Sequence, residues 1–226
     1  MLKILAIDTS TDACSSALLF NHKIIDRFMV APRKHTSFIL SMVNDLLSEG
    51  EIEFNQLDAI AFGCGPGSFT GVRLATSVAQ GFALASNLSV IKISTLRALA
   101  QEVFVEFRAT KVLVAQDARM QEVYWGEYCV DNNGIMKAIK PDSLINPYKI
   151  KTIINSDFVG VGDGFEVYND FFTKNCKIPF IPKKYIQAKY VARLAANDFV
   201  QGLVVTADKV QPTYLREKVA WIYNVR

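Results

Sequence analysis

Three short segments hold the side chains with chemical potential, each at the end of an apolar run. Asp8-Thr9-Ser10 follows 2–7. A glycine-rich stretch from Gly63 to Arg73 (Gly-Cys-Gly-Pro-Gly-Ser-Phe-Thr-Gly-Val-Arg) follows 57–62, and Asp117-Ala118-Arg119-Met120-Gln121-Glu122-Val123-Tyr124 follows 111–116. A carboxylate at a strand end can hold a metal or a water, and the backbone N–H groups of a hydroxyl-rich turn or a helix start can cradle a phosphate. Each segment also has a plainer reading. Asp8-Thr9-Ser10 makes an ordinary Asx or Ser turn, and Arg119 paired with Asp117 or Glu122 makes a solvated hairpin tip.

The glycine-rich stretch forces a tight turn into a helix that Ser68 or Thr70 can cap. It matches no established phosphate signature. No Lys-Ser/Thr pair follows the last glycine, and the dinucleotide spacing requires glycine where Ser68 or Thr70 stands. Pro66 removes Ser68 from a G-x-S-x-G elbow. A purely structural turn is the competing reading. His22 and His35 are the two histidines of the chain; they lie thirteen positions apart, in a turn and at a helix start, so no His-x-x-x-His zinc-peptidase ligand pair can form. Nothing points to a Ser-His-Asp triad.

These segments need elements to position them. Strands are predicted at 2–7, 15–20 and 23–30 as tight hairpins, then a helix at 35–49, where Phe38, Ile39, Met42, Val43, Leu46 and Leu47 recur at helical spacing. A strand at 57–62, the glycine turn and a helix to about Ser86 follow. A strand at 89–94 and a helix at 95–107 end the first half, which reads βββαβαβα around a mixed sheet. In the second half, strands are predicted at 111–116, 122–130 and 157–161, with Gly160, Gly162 and Gly164 in or after the last. Helices are predicted at 164–173 and 187–201, and Pro141 opens a further short one. The chain is α/β, divided near residue 108 with no low-complexity linker.

The helix ending at Ser86 carries Gly71, Ala75, Ala79 and Ala83 at every fourth position, with bulky Leu74, Val78 and Phe82 beside them. Small residues let another helix approach closely; an ordinary helix buried on its own sheet has the same pattern.

Composition narrows the classes. The 226 residues are half hydrophobic, and 25 basic against 22 acidic residues leave a net charge of +3. That supports a large core and gives no strong footprint for nucleic acid or membrane. The N-terminal run is too short for a signal peptide, and no stretch reaches a membrane span. Cys14, Cys64, Cys129 and Cys176 are scattered, as expected of reduced thiols in a soluble cytoplasmic protein. The basic pairs Arg33-Lys34, Lys149-Lys151 and Lys183-Lys184 read as solvated faces.

Taken together, Asp8-Thr9-Ser10 on a hairpin, the Gly65–Arg73 helix start, Asp117-Ala118-Arg119 with Glu122-Val123-Tyr124, and Tyr214-Leu215-Arg216 resemble the bacterial TsaB (YeaZ) family, from Leu2 to about Trp221. The resemblance implies two RNase H-like/actin-like (ASKHA) βββαβα subdomains with mixed sheets flanked by helices, at 1–108 and 109–226. It implies a non-catalytic subunit of the machinery that makes N6-threonylcarbamoyladenosine in tRNAs reading codons that begin with A. The expected partners are the catalytic paralogue TsaD, the ATPase TsaE, tRNA through the complex, and a homodimer when TsaD is absent. ATP and metal are expected on the partner subunits, with no cofactor on this chain. Asp8, Thr9, Ser10, Asp117 and Arg119 then become vestigial phosphate loops: ATP-binding relatives have Asp-x-Gly where this chain has Asp117-Ala118-Arg119, and the long Arg119 side chain is expected to fill that space. Where the family often has Arg-Gly, this chain has Met120-Gln121. The implied partner face comprises Phe38 and Met42 on 35–49, with Gly71, Arg73, Leu74, Ala75, Val78, Ala79, Phe82 and Ala83 on 70–86. The alternative is a nucleotide-binding ATPase or phosphotransferase using Asp8, Asp117 and the glycine turns. A peptidase is a weaker third reading.

Overall fold

The computed structural model describes residues 1–150, 157–175, 178–182 and 184–216. Cys176, Lys151, Lys183 and Trp221, named above, lie outside the described residues.

A fully buried apolar run at Ile4–Asp8 (β1), a mostly buried Ala13–Phe20 (β2) and a half-exposed Lys23–Val30 (β3), joined by short turns, form an antiparallel meander. His35–Glu49 (α1) leads to Ala59–Gly63 (β4), Phe69–Ser86 (α2), Ser89–Ile93 (β5) and Thr95–Phe107 (α3). Both β4 and β5 run parallel to β1, and the sheet order is β3-β2-β1-β4-β5.

The second half repeats the plan. Lys111–Asp117 (β6), Val123–Val130 (β7) and Met136–Ile145 (β8) are antiparallel, and Val159–Val161 (β9) and Phe180–Ile181 (β10) extend the sheet in parallel, in the order β10-β9-β6-β7-β8. Asp163–Val167 (α4), Asn169–Asn175 (α5) and Ala188–Val200 (α6) are its helices. Two mixed five-stranded sheets flanked by helices are the architecture expected of the actin-like fold.

Two sequence expectations fail here. Pro141 opens no helix; it lies within β8. This is an edge strand, and its pairing with β7 shifts register around Glu127. A proline without an N–H is tolerated at an edge or bulge. The helix predicted at 164–173 is two short ones, α4 and α5, divided at Tyr168.

Each central strand is buried on both faces, and side-chain alternation assigns the faces. On β1, Leu5 and Ile7 join Ile39, Leu46, Ala75 and Ala79 in the core beneath α1 and α2. Ile4 and Ala6 point the other way, with Ala17, Ala59 and Ala61, into a core shared with α3 and α6. α6, from the second half, packs on the first sheet, while α3, from the first half, packs on β6, β7 and β8 of the second. These helices touch each other and form the middle of five layers. The chain division near 108 therefore separates the sheets but not the helices that cover them.

Polar contacts fix the crossing. Arg97 on α3 holds Asp198 on α6 at 2.6 and 3.1 Å and donates through Nε to the Met136 carbonyl. Ala188 N, at the start of α6, donates to Ser15 Oγ on β2 at 2.9 Å. Lys184 bridges the buried Glu102 and the exposed Glu106, so this lysine is tied to α3 and is not a freely solvated basic residue. Cys14 and Cys64 are buried, Cys129 is half-buried, and all three are free thiols.

Candidate functional site at the junction of the two halves

The turn after β1 lies directly on the glycine-rich loop. Ser68 N donates to the Ser10 carbonyl at 2.8 Å, and Thr9 Oγ1 donates to the Gly71 carbonyl at 2.7 Å. A Cβ at position 71 would stand 1.9 Å from the Thr9 carbonyl oxygen, and one at position 67 would stand 2.6 Å from that of Ser10. Glycine is required here for backbone-to-backbone approach. Ser68 caps α2 by accepting from Gly71 N at 3.1 Å. The turn after β1 and the glycine-rich loop thus satisfy one another.

Asp8 has no exposed surface, and its carboxylate accepts from Ser10 N at 3.0 Å and from Ser10 Oγ. Its other oxygen covers Gly63. Burial pushes the carboxyl up to about 7, and the Ser10 hydrogen bonds only partly oppose this.

The turn between β6 and β7 occupies the matching place in the second half. Asp117 accepts from Arg119 N at 3.0 Å, and its own N–H donates to Asp163 Oδ1 at 2.9 Å. Arg119, Met120 and Gln121 all have left-handed backbone, with φ of 62°, 55° and 58°. Each such residue with a side chain costs roughly 1 kcal/mol. The Arg119 side chain does not fill the turn as expected; it is 88% exposed and pairs with Asp117 at 3.1 Å. The left-handed backbone directs it outward.

Between these turns lies a polar cleft of about 350 Å³, lined by Ser10, Thr11, Gly67, Ser68, Asp117, Arg119, Asp163 and Lys184 among others. Ser10, Asp117 and Arg119 line it; Asp8 and Thr9 do not, being sealed behind Ser10 and the glycine loop. No group of three or more His, Cys, Asp or Glu side chains among the described residues is arranged to hold a metal ion. No helix of the described residues is long and apolar enough to cross a membrane.

The residues expected to face a partner divide into two sets. Ala75, Ala79 and Ala83 have no exposed surface and sit in the core beneath α2; Gly71 is buried against Thr9, and Met42 is also buried. That stripe packs on this chain's own sheet. Phe38, Leu74, Val78 and Phe82 are half-buried and Arg73 is exposed. Outward on α2 lies a second small-residue stripe that the sequence reading passed over: Ser77, Gly81 and Ala85, all exposed, with Leu84 63% exposed beside them. Nothing lies within 4 Å of a Cβ placed on Gly81.

Tyr214 and Arg216 were visible only as part of the resemblance, and the structure gives them contacts. Tyr214 accepts from Arg73 Nε at 2.8 Å, while the Arg73 guanidinium stacks 3.6 Å over Phe69. Arg216 donates to the Ala118 carbonyl at 3.0 Å and pairs with Glu122 at 2.9 Å. A second hollow of about 630 Å³ lies between Phe69, Arg73, Tyr124 and this tail.

Comparison with known proteins places this geometry. Residues 29–223 match the family model described as TsaD, tRNA N6-adenosine threonylcarbamoyltransferase. The tRNA threonylcarbamoyladenosine biosynthesis protein TsaB of Escherichia coli is 38% identical over 224 residues, covering 97% of each chain. Its Haemophilus influenzae namesake is 38% identical over 233 residues, covering 97% of this chain and 96% of that one. The solved structure of YeaZ from Pseudomonas aeruginosa superposes with a TM-score of 0.89 at 38% identity, covering 95% of this chain and all of that one. The chain belongs to the TsaB (YeaZ) family.

Proposed function

We propose that this TsaB-family chain works in the biosynthesis of threonylcarbamoyladenosine in tRNA as a non-catalytic scaffold, activating a TsaD-like catalytic paralogue alongside a TsaE-like ATPase. On this reading the product is N6-threonylcarbamoyladenosine in tRNAs that read codons beginning with A, and any ATP or metal is held by the partner subunits. One observation carries the reading: the Asp8 turn is taken up within this chain, with Ser10 N donating to Asp8 and the Thr9 and Ser10 carbonyls lying on Gly71 and Gly67. The outward face of α2, with Ser77, Gly81 and Ala85 between Leu74, Val78 and Leu84, supports a helix-packed partner. A homodimer through the same face is the expected state when the paralogue is absent.

The test is a titration of the purified chain with the purified TsaD-like subunit. Tight pairing, weakened at least tenfold by Gly81→Arg with the fold intact, is expected. Unchanged pairing would remove the α2 face from the interface.

The polar cleft favours a second reading, a nucleotide-binding ATPase or phosphotransferase, because Ser10, Ser68, Asp117 and Lys184 converge on it. Calorimetry of the isolated chain with Mg-ATP decides between the two. Micromolar binding with turnover lost in Asp117→Ala favours the enzyme; no binding favours the scaffold.

A further inference from the structure

The tail from Thr213 to Arg216 touches both halves of the molecule within four residues. Thr213 N donates to the Cys64 carbonyl at 2.7 Å, which anchors the tail to the glycine-rich loop. Tyr214 accepts from Arg73 on α2, and its ring lies 6.4 Å from that of Phe69. Two residues later, Arg216 reaches the turn between β6 and β7. It donates to the Ala118 carbonyl, contacts Met120 Sδ at 3.3 Å and pairs with Glu122. Its side chain is only 17% exposed.

The other restraints on that turn lie at its two ends. Internally it is held by Ala118 N donating to the Glu122 carbonyl at 3.0 Å, by Glu122 N donating to the Arg119 carbonyl at 3.1 Å, and by Asp117, which accepts from Arg119 N and pairs with its exposed side chain; none of these reaches Met120 or Gln121. Its three central residues are left-handed without a glycine among them. Such backbone persists only where its surroundings over-determine it. The Arg216 guanidinium touches the residue before the left-handed run, one residue within it, and the residue after it. A planar, five-donor group is suited to span several acceptors at once.

We propose that Thr213–Arg216 is a latch. Arg216 holds the β6–β7 turn in its left-handed form, and Tyr214 ties the same tail to the first turn of α2. The cleft wall and the partner-facing helix then move as one body. The coupling to pairing rests on the scaffold reading above; the holding of the turn does not.

Hydrogen exchange and limited trypsin digestion of the full chain test it, with Arg216→Ala, Arg216→Lys and Tyr214→Phe beside the parent. In Arg216→Ala the Ala118 and Glu122 amides are expected to exchange about tenfold faster, with β1 and β4 unchanged. Tryptic cleavage after the exposed Arg119 is expected to accelerate with them. Arg216→Lys, which offers a single point donor, is expected to fall between. Affinity for the TsaD-like subunit is expected to drop about fivefold in Arg216→Ala and in Tyr214→Phe, at unchanged melting temperature. Parent-like exchange and cleavage at 118–122 in Arg216→Ala would overturn the latch. A loosened turn with parent-like pairing would overturn the coupling. A parent chain that does not pair at all would sink the scaffold reading, while the exchange result still decides whether Arg216 holds the turn.

Discussion

Thr9 and Gly71 are in contact through their backbones: the Thr9 carbonyl oxygen lies 1.9 Å from where a Cβ at 71 would stand, and the Thr9 hydroxyl donates back to the Gly71 carbonyl. Two rigid backbones cannot yield as a flexible side chain would. Gly71→Ala is therefore expected to cost about 3 kcal/mol or more. Gly81, ten positions along the same helix, has open space around it. Gly81→Ala is expected to stabilise by about 1 kcal/mol through helix propensity. Urea denaturation of both variants checks the contrast, and a similar effect of the two would show that the close approach is absent.

Ala79 and Ser77 differ by two positions and point oppositely on α2. Ala79→Glu places an unpaired carboxylate in the core beneath the helix, at an expected cost of about 3–5 kcal/mol. Ser77→Glu meets solvent and is expected to change stability by less than about 0.5 kcal/mol. Thermal melts of the isolated chain separate them. A folded, stable Ala79→Glu protein would mean that α2 is rotated relative to its sheet.

Arg97 and Asp198 join α3 to α6 through a largely buried, two-pronged pair. Removing one partner leaves a charge without compensation. Asp198→Ala is expected to lose about 3–5 kcal/mol, and the double replacement Arg97→Met with Asp198→Leu is expected to recover much of it. Denaturant midpoints of the three proteins measure this, and additive losses would show that the two residues are not coupled.

Asp8 sets a pH dependence whose sign follows from burial. Its folded carboxyl titrates near 7, above the ordinary 3.8. Between those values the unfolded chain gives up the proton and the folded chain keeps it. The contribution is therefore full below about pH 4, falls as pH rises, and is gone above about pH 7, by an amount on the order of 4 kcal/mol. Asp8→Asn is expected to flatten this slope. Unfolding free energies at pH 4.5, 6 and 7.5 check it, and parallel profiles for parent and variant would show that Asp8 titrates normally.

Much of this architecture was legible along the chain, for a local reason. Side-chain period and capping depend on near neighbours, so α1 and α3 were predicted at their observed bounds, and of the two expected caps for α2, Ser68 and Thr70, Ser68 is the one observed. The expectation failed where local signals conflict with position in a sheet. Pro141 with Lys140 and Asp142 does not look like a strand, yet an edge position with a bulge accepts it. The two-residue β10 is too short to show a period.

The sequence by itself determined the two α/β halves, the glycine turns and the shortage of histidines. Only the tertiary structure decided what those features face. Small residues recur every fourth position on two sides of α2, and periodicity cannot say which side meets its own sheet. Packing settled it: the face with Ala75, Ala79 and Ala83 seats on β4 and β1, leaving Ser77 and Gly81 outward. What the glycine loop and the Asp8 turn pack against is invisible when each is read without the other. Folding brings them together across 62 residues, as it brings Tyr214 to Arg73 across 141. Such contacts depend on chain topology and on the burial of both sheets, which no local pattern encodes.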